Sequence, residues 1–173
     1  MEPFVKVPVP LAAEICARYA LKDDARKLLE DGIDPRAFVT ALFAGKQYVN
    51  AIEFMAYALP VREGVWWGCL CMQHSVGENL APKDRDAATA AVRWVLQPGE
   101  DTRAAAKASG EAVGPASAAG ALAIAASQSM MPPGKAITLA VKIASSKAEP
   151  VKIPAMQRAY AELAIEVADG RLI

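Results

Sequence analysis

The feature that most constrains this fold is a nearly unbroken apolar stretch over residues 48–74, YVNAIEFMAYALPVREGVWWGCLCMQH. Pro60 divides it into two helical segments, because proline cannot continue a helix. A helix that is apolar on every face must lie at the centre of a globular protein or in a membrane. A few polar residues interrupt the stretch and favour a central helical hairpin over a membrane span. These interruptions are Asn50, Glu53, Arg62 and Glu63.

We expect six side chains of this hairpin to lie mostly buried at the centre of the protein. They are Ile52, Phe54, Met55, Val65, Trp66 and Leu70. If Leu70 belongs to the core, its replacement by alanine is expected to cost about 2–5 kcal/mol of unfolding free energy.

Composition favours closely packed helices over sheets. The 173 residues are 54% hydrophobic and 22% charged, which is typical of a globular chain long enough to bury a core. Alanine makes up about a fifth of the residues, while aromatic residues make up only 6%. Alanine is the best helix former and is too small to build the face of a sheet.

Short loops and capping signals divide the chain into eight or nine predicted helices, with no alternation of period two that would indicate strands. The clearest start signal is Asp34 followed by Pro35, an N-cap residue and a proline at the first helical position. Residues 112–134 carry no charge. Pro115 and Pro132 limit a helix in this stretch to residues 116–131, which are rich in Ala, Gly and Ser. That segment predicts a buried helix of small residues and no membrane span.

The sequence therefore predicts an all-α protein, either an irregular helical bundle or a short α-solenoid. No fixed internal repeat supports the solenoid over the bundle. We expect residues 1–10 to form an extended arm, because three of them are proline. Residues 11–173 are expected to form one helical domain, with a candidate subdivision near residues 98–102.

Charge and cysteine usage disfavour several classes of function. The 19 basic and 19 acidic residues balance, and no basic stripe indicates a nucleic-acid partner. Three cysteines form no secretory disulfide framework, and the N-terminus lacks the basic start and apolar run of a signal peptide. We therefore expect a cytoplasmic protein with no cofactor motif. The oligomeric state is left open by the sequence.

One thiol–imidazole cluster, formed by Cys69, Cys71 and His74, is the only candidate for reactive chemistry. On a helix Cys71 and His74 are neighbours, whereas Cys69 points nearly opposite to Cys71, so the three cannot share one tetrahedral metal. Free cysteines are usually buried, and a histidine at a helix C-terminus is favoured by the helix dipole. We expect structural roles for all three, with no catalytic residue and no metal site.

The candidate partner-binding residues are two tryptophans and two methionines. Trp66 and Trp67 diverge by about 100° on a helix, so at most one of them needs to be exposed. Tryptophan is enriched at binding hot spots, and methionine adapts to irregular apolar partners. Met130 and Met131, followed by two prolines, predict an adaptable apolar loop. The alternative is that both tryptophans belong to the core and that the methionine loop is a buried turn.

The segment LPVREGVWWGCLC over residues 59–71 resembles a motif of a family of small uncharacterised bacterial proteins. The shared pattern is Leu-Pro, a basic residue, then Val-Trp-Trp, a small residue and Cys-Leu, and the resemblance covers chiefly residues 34–75. Some members are encoded beside type VI secretion effectors and their adaptor proteins. The resemblance implies a bacterial, cytoplasmic accessory role and assigns no catalytic residue.

Three functions fit the sequence to different degrees. The first is a non-enzymatic helical module that binds another protein, such as an adaptor for a secreted effector or a secretion component. The second is a small-ligand binder or an enzyme that uses Cys71 and His74. The third is a toxin immunity protein, which balanced charge disfavours because such proteins usually carry a charge that matches their partner.

Overall fold

The structure is a computed structural model that describes residues 1–172, and across these residues it is all-helical, with no β-strand. The predicted all-α irregular bundle is confirmed. Its ten α-helices within residues 1–172 exceed the expected eight or nine, and two of them span only about one turn. They are α1 Ala12–Cys16, α2 Asp23–Arg26, α3 Pro35–Ala44, α4 Tyr48–Ala58, α5 Val61–Val76, α6 Pro82–Leu96, α7 Glu100–Val113, α8 Ala118–Ser127, α9 Pro133–Ser145 and α10 Ile153–Ala168, the last preceded by a 3-10 turn Pro150–Lys152.

The start of α3 confirms the capping signal. The Asp34 carboxylate accepts hydrogen bonds from the backbone N–H groups of Arg36 and Ala37, at 2.9 and 3.0 Å. These bonds satisfy two of the donors that a helix leaves free at its N-terminus. The helix ends at Ala44, directly before Gly45.

The helix without an exposed face is α8. Every residue from Ala119 to Ser127 is buried, and α8 packs against α5, α6, α7 and α9. This confirms the predicted buried helix of small residues, although it begins after Ser117, whose hydroxyl accepts a hydrogen bond from the Gly120 N–H at 3.0 Å. No helix within residues 1–172 has the length and apolar character needed to cross a membrane.

The predicted hairpin of α4 and α5 also lies in the core, but each helix keeps one face that is only partly covered. Four of the six predicted core residues are fully buried, namely Ile52, Phe54, Met55 and Val65. Trp66 and Leu70 are instead only partly buried and pack against the edge of the core, so the full burial of the other four does not extend to these two. The cost of Leu70→Ala should accordingly fall below that of a core leucine.

Two glycines determine which face of α5 points inward. A methyl group added at Gly64 would lie 2.7 Å from the Ile137 side chain of α9, and one added at Gly68 would overlap Leu122 of α8. The four-residue spacing of the glycines places both contacts on one face of α5, so α8 and α9 approach that face closely. Trp66 and Leu70 lie two residues further along, and therefore on nearly the opposite face.

The N-terminal residues 1–10 contain no helix and pack along α3 and α10. Phe4 is buried beneath the Arg36 guanidinium, which lies 4.1 Å from the centre of its ring and forms an ion pair with Asp169. The Lys6 N–H donates to the Ala168 carbonyl at 2.8 Å. Helices before and after residue 100 contribute to the same apolar core.

Candidate docking groove

One face of α5 is only partly covered by its neighbours. Arg62, Trp66, Leu70, Gln73 and Gly77 follow each other at spacings of three or four residues and therefore lie along one side of the helix. All five are half-buried or exposed. The next helix, α6, runs alongside this face, and the Arg62 Nε–H donates to the Val95 carbonyl of α6 at 2.7 Å.

A groove of about 760 Å³ lies between α5, the turn that follows it, and α6; we call it the α5–α6 groove. Its lining comprises Trp66, Cys69, Leu70, Met72, Gln73, Gly77, Glu78, Leu80, Arg85, Ala88, Thr89, Val92 and Arg93. Cys69, Met72 and Ala88 are buried and form its floor. Half-buried apolar side chains form the walls, and exposed polar or charged side chains form the rim. The volume lies in the range typical of ligand pockets.

The adjacent tryptophans have different environments. The Trp67 side chain is fully buried, and its indole N–H donates to the Tyr160 carbonyl of α10 at 2.9 Å. Trp66 is half-buried, lines the groove, and donates its indole N–H to the Leu172 carbonyl at 3.0 Å. Trp66 is therefore the tryptophan that a partner can reach.

Met130 and Met131 lie outside the α5–α6 groove. Met130 is 61% exposed in the loop after α8, whereas Met131 is half-buried against the core. This loop leads into α9, whose Gly134 packs against Tyr57 near the end of α4. The structure thus does not bring the methionines and Trp66 together in one pocket.

Met130 also adopts a left-handed backbone conformation, with φ of 65°. A residue with a side chain rarely adopts this conformation, which is a source of local strain. Met130 is therefore an exposed and locally strained residue outside the α5–α6 groove.

The three residues of the thiol–imidazole cluster have separate surroundings. Cys69 lies in the floor of the groove and Cys71 is fully buried, while His74 is exposed. The His74 Nδ1 atom lies 3.1 Å from the Tyr160 hydroxyl oxygen. Within residues 1–172 no group of three or more His, Cys, Asp or Glu side chains is arranged to hold a metal ion.

Burial disfavours the thiolate form of both cysteines. It raises the pKa of Cys69 from its ordinary value of 9.0 to about 12, and it also raises the pKa of Cys71. A nucleophilic cysteine needs the opposite, a pKa lowered by a nearby positive charge or a helix N-terminus. Desolvation likewise raises the pKa of Tyr160 to about 12. These groups are therefore suited to packing rather than to proton transfer near neutral pH.

A second, smaller cavity of about 190 Å³ lies between the end of α5 and the start of α8. Its main polar contact is internal, because the Ser117 hydroxyl lies 2.6 Å from an Asp84 carboxylate oxygen. Ser117 also caps α8, so this contact ties the start of α6 to the start of α8. The cavity is explained by the packing of these helix ends.

Several residues of the groove were not predicted from the sequence. Leu70 was assigned to the core, and neither Arg85 nor Arg93 was identified as a candidate binding residue. The sequence did contain an indication of this face, because Trp66, Leu70, Gln73 and Gly77 recur at spacings of three or four residues. Periodicity could not reveal that, within residues 1–172, no further helix covers this face.

The family model of a family of unknown function, DUF6931, matches residues 38–168. The chain belongs to this family. The DUF6931 match runs from α3 to the end of α10 and includes both helices of the groove. It agrees with the resemblance to an uncharacterised family. No curated protein and no solved structure matches the chain.

Proposed function

We propose that this DUF6931 protein is a non-enzymatic helical module that binds another protein through the α5–α6 groove. The observation that carries the proposal is the groove itself, which exposes Trp66, Leu70 and Val92 to solvent between two firmly packed helices. Helix-in-groove recognition requires apolar and aromatic lining, and it does not require reactive groups. An indole at the edge of a groove is a frequent anchor in such interfaces.

The cellular role that we propose is that of a bacterial accessory or adaptor factor, acting in the cytoplasm on a secreted effector or a secretion component. The support is the resemblance of residues 59–71 to proteins encoded beside type VI secretion effectors. The balanced charge of 19 basic and 19 acidic residues favours this role over that of a toxin immunity protein.

The second candidate is a small-ligand binder. The groove volume of about 760 Å³ supports it, because this volume would hold a drug-sized molecule. An enzyme that uses Cys71 and His74 has less support. Cys71 is fully buried with a raised pKa, and His74 contacts the Tyr160 hydroxyl.

Photocrosslinking in cells that naturally contain the protein distinguishes these functions. A photoreactive phenylalanine derivative replaces Thr89, which is exposed at the rim of the groove, and in a matched control it replaces Ala104, which is exposed on α7. We expect irradiation to attach one defined polypeptide at position 89 and not at position 104. Neither site is buried, so both variants should fold normally.

An adduct with a small molecule at position 89 would favour the ligand-binding alternative. An adduct with a second copy of the chain would assign the groove to self-association. The absence of any adduct at position 89, with the control protein equally abundant, would contradict the groove as a contact surface. Each of these three results counts against the proposal.

A further inference from the structure

The rim of the α5–α6 groove carries an unbalanced charge. Arg85 and Arg93 are both exposed, both line the groove, and both belong to α6. Within residues 1–172 neither guanidinium has a carboxylate oxygen within 4.0 Å. Glu78, at the far end of the groove, is the only acidic residue in its described lining. The part of the rim that α6 forms is therefore basic.

The dimensions of the groove suit about three helical turns. Its lining along α5 and the capping residue that follows extends from Trp66 to Gly77, which at 1.5 Å per residue spans about 16 Å. Arg85 and Arg93 are eight residues apart, or about 12 Å along α6 by the same rise. Two carboxylates at seven- or eight-residue spacing on a docked helix would reach both guanidinium groups.

A helical occupant fits better than an extended one. An extended peptide usually binds by adding a strand to the edge of a sheet, where its backbone hydrogen bonds are satisfied. Residues 1–172 contain no strand to provide such an edge. A helix satisfies its own backbone hydrogen bonds and needs from the groove only apolar contact, which Trp66, Leu70 and Val92 supply.

We infer that the partner inserts an acidic amphipathic helix, whose apolar face contacts Trp66 and Leu70 and whose carboxylates pair with Arg85 and Arg93. This inference rests on the proposed function and specifies the chemistry of the partner. Charge pairs at the rim of an interface select the correct partner and speed association more than they add affinity. The charge of the rim therefore determines which amphipathic helices are accepted.

The test is a selection from a displayed library of helix-forming peptides of about 14 residues, long enough for the three turns that the groove can hold. The full-length protein is the bait. In the Thr89→Arg variant the new side chain fills the groove from an exposed position. Peptides that still bind this variant bind elsewhere on the protein and are discarded. We expect the groove-specific peptides to carry apolar residues at helical spacing and an excess of Asp and Glu.

The variant Arg85→Glu/Arg93→Glu should bind these peptides at least tenfold more weakly than the unmodified protein. Both side chains are exposed, so its melting temperature should barely change. Affinity for the unmodified protein should also fall as salt rises from about 50 to about 300 mM, because salt screens exposed charges. A matched Lys46→Glu variant, with an exposed lysine outside the groove lining, should bind normally.

Groove-specific peptides without an acidic excess, or with affinity unaffected by the double charge reversal, would overturn this inference and leave the proposed function intact. A selection that yields no groove-specific peptide at all would contradict the proposed function as well. The two failures are thus distinguishable.

Discussion

Replacing Trp67 with alanine should lower the unfolding free energy by about 3–5 kcal/mol, the range measured for large aromatic residues in cores. Trp67 is the largest fully buried side chain of the described residues. Its removal leaves a cavity and also removes the 2.9 Å hydrogen bond from its indole N–H to the Tyr160 carbonyl. Since domains are stable by only about 5–15 kcal/mol, the variant should be close to unfolding at moderate temperature.

Urea-induced unfolding of the variant and of the unmodified protein provides the measurement. The matched control is Trp66→Ala, one residue away on the same helix, where the side chain is half-buried and the loss should be much smaller. If Trp67→Ala does not fold, Trp67→Phe should still be clearly less stable than the unmodified protein. Equal losses for the Trp66 and Trp67 alanine variants would contradict the placement of the α5 faces.

The second large effect is expected for Gly120→Ala, which should cost about 3 kcal/mol, at the upper end of the range for overpacking. A methyl group at Gly120 would overlap the Gly114 carbonyl oxygen and lie 2.9 Å from Val113 Cγ1. The obstacle is backbone, which cannot move without displacing the turn between α7 and α8. In an open helix the same change would stabilise by up to about 1 kcal/mol.

Gly45→Ala is the matched control for this prediction. Gly45 has φ of −81° and would place its new methyl group at ordinary contact distances of 3.4 Å or more. Its melting temperature should therefore stay close to that of the unmodified protein. A stable Gly120→Ala variant would show that α7 and α8 do not approach as closely as the structure indicates.

Local signals in the sequence predicted local structure well. Asp34 and Pro35 start α3 because the capping hydrogen bonds are made within the same few residues. The small, uncharged residues of α8 predicted burial because a helix with no polar face has no side that needs contact with solvent, and four neighbouring helices enclose it. The all-α class followed from alanine content and helical periodicity, which depend little on tertiary contacts.

Tertiary features were predicted less well. In α5 both faces are apolar, so periodicity could not distinguish the face packed on α8 and α9 from the face that lines the groove. The inward face is set by the close approach of Ile137 to Gly64 and of Leu122 to Gly68. Ile137 and Leu122 lie about 55 to 75 positions further along the chain than these glycines. For the same reason Trp66 and Leu70 were assigned to the core.

The basic rim was not predictable from sequence. Arg85 and Arg93 resemble ordinary solvent-exposed residues of an amphipathic helix. They acquire a common role only because α6 places them beside the partly covered face of α5. Met130 is exposed, as an apolar contact loop requires, but the position of this loop relative to Trp66 could not be inferred from the sequence.

The central claim is that the α5–α6 groove binds a partner protein, and the affinity of Trp66→Ala for that partner tests it most directly. Calorimetric titration with the polypeptide attached at position 89 should give binding about 30-fold weaker, which corresponds to about 2 kcal/mol. The variant should remain folded, and Met130→Ala, which removes an exposed apolar side chain outside the groove, should bind normally. Unchanged affinity of Trp66→Ala, together with weakened binding by Met130→Ala, would contradict the claim.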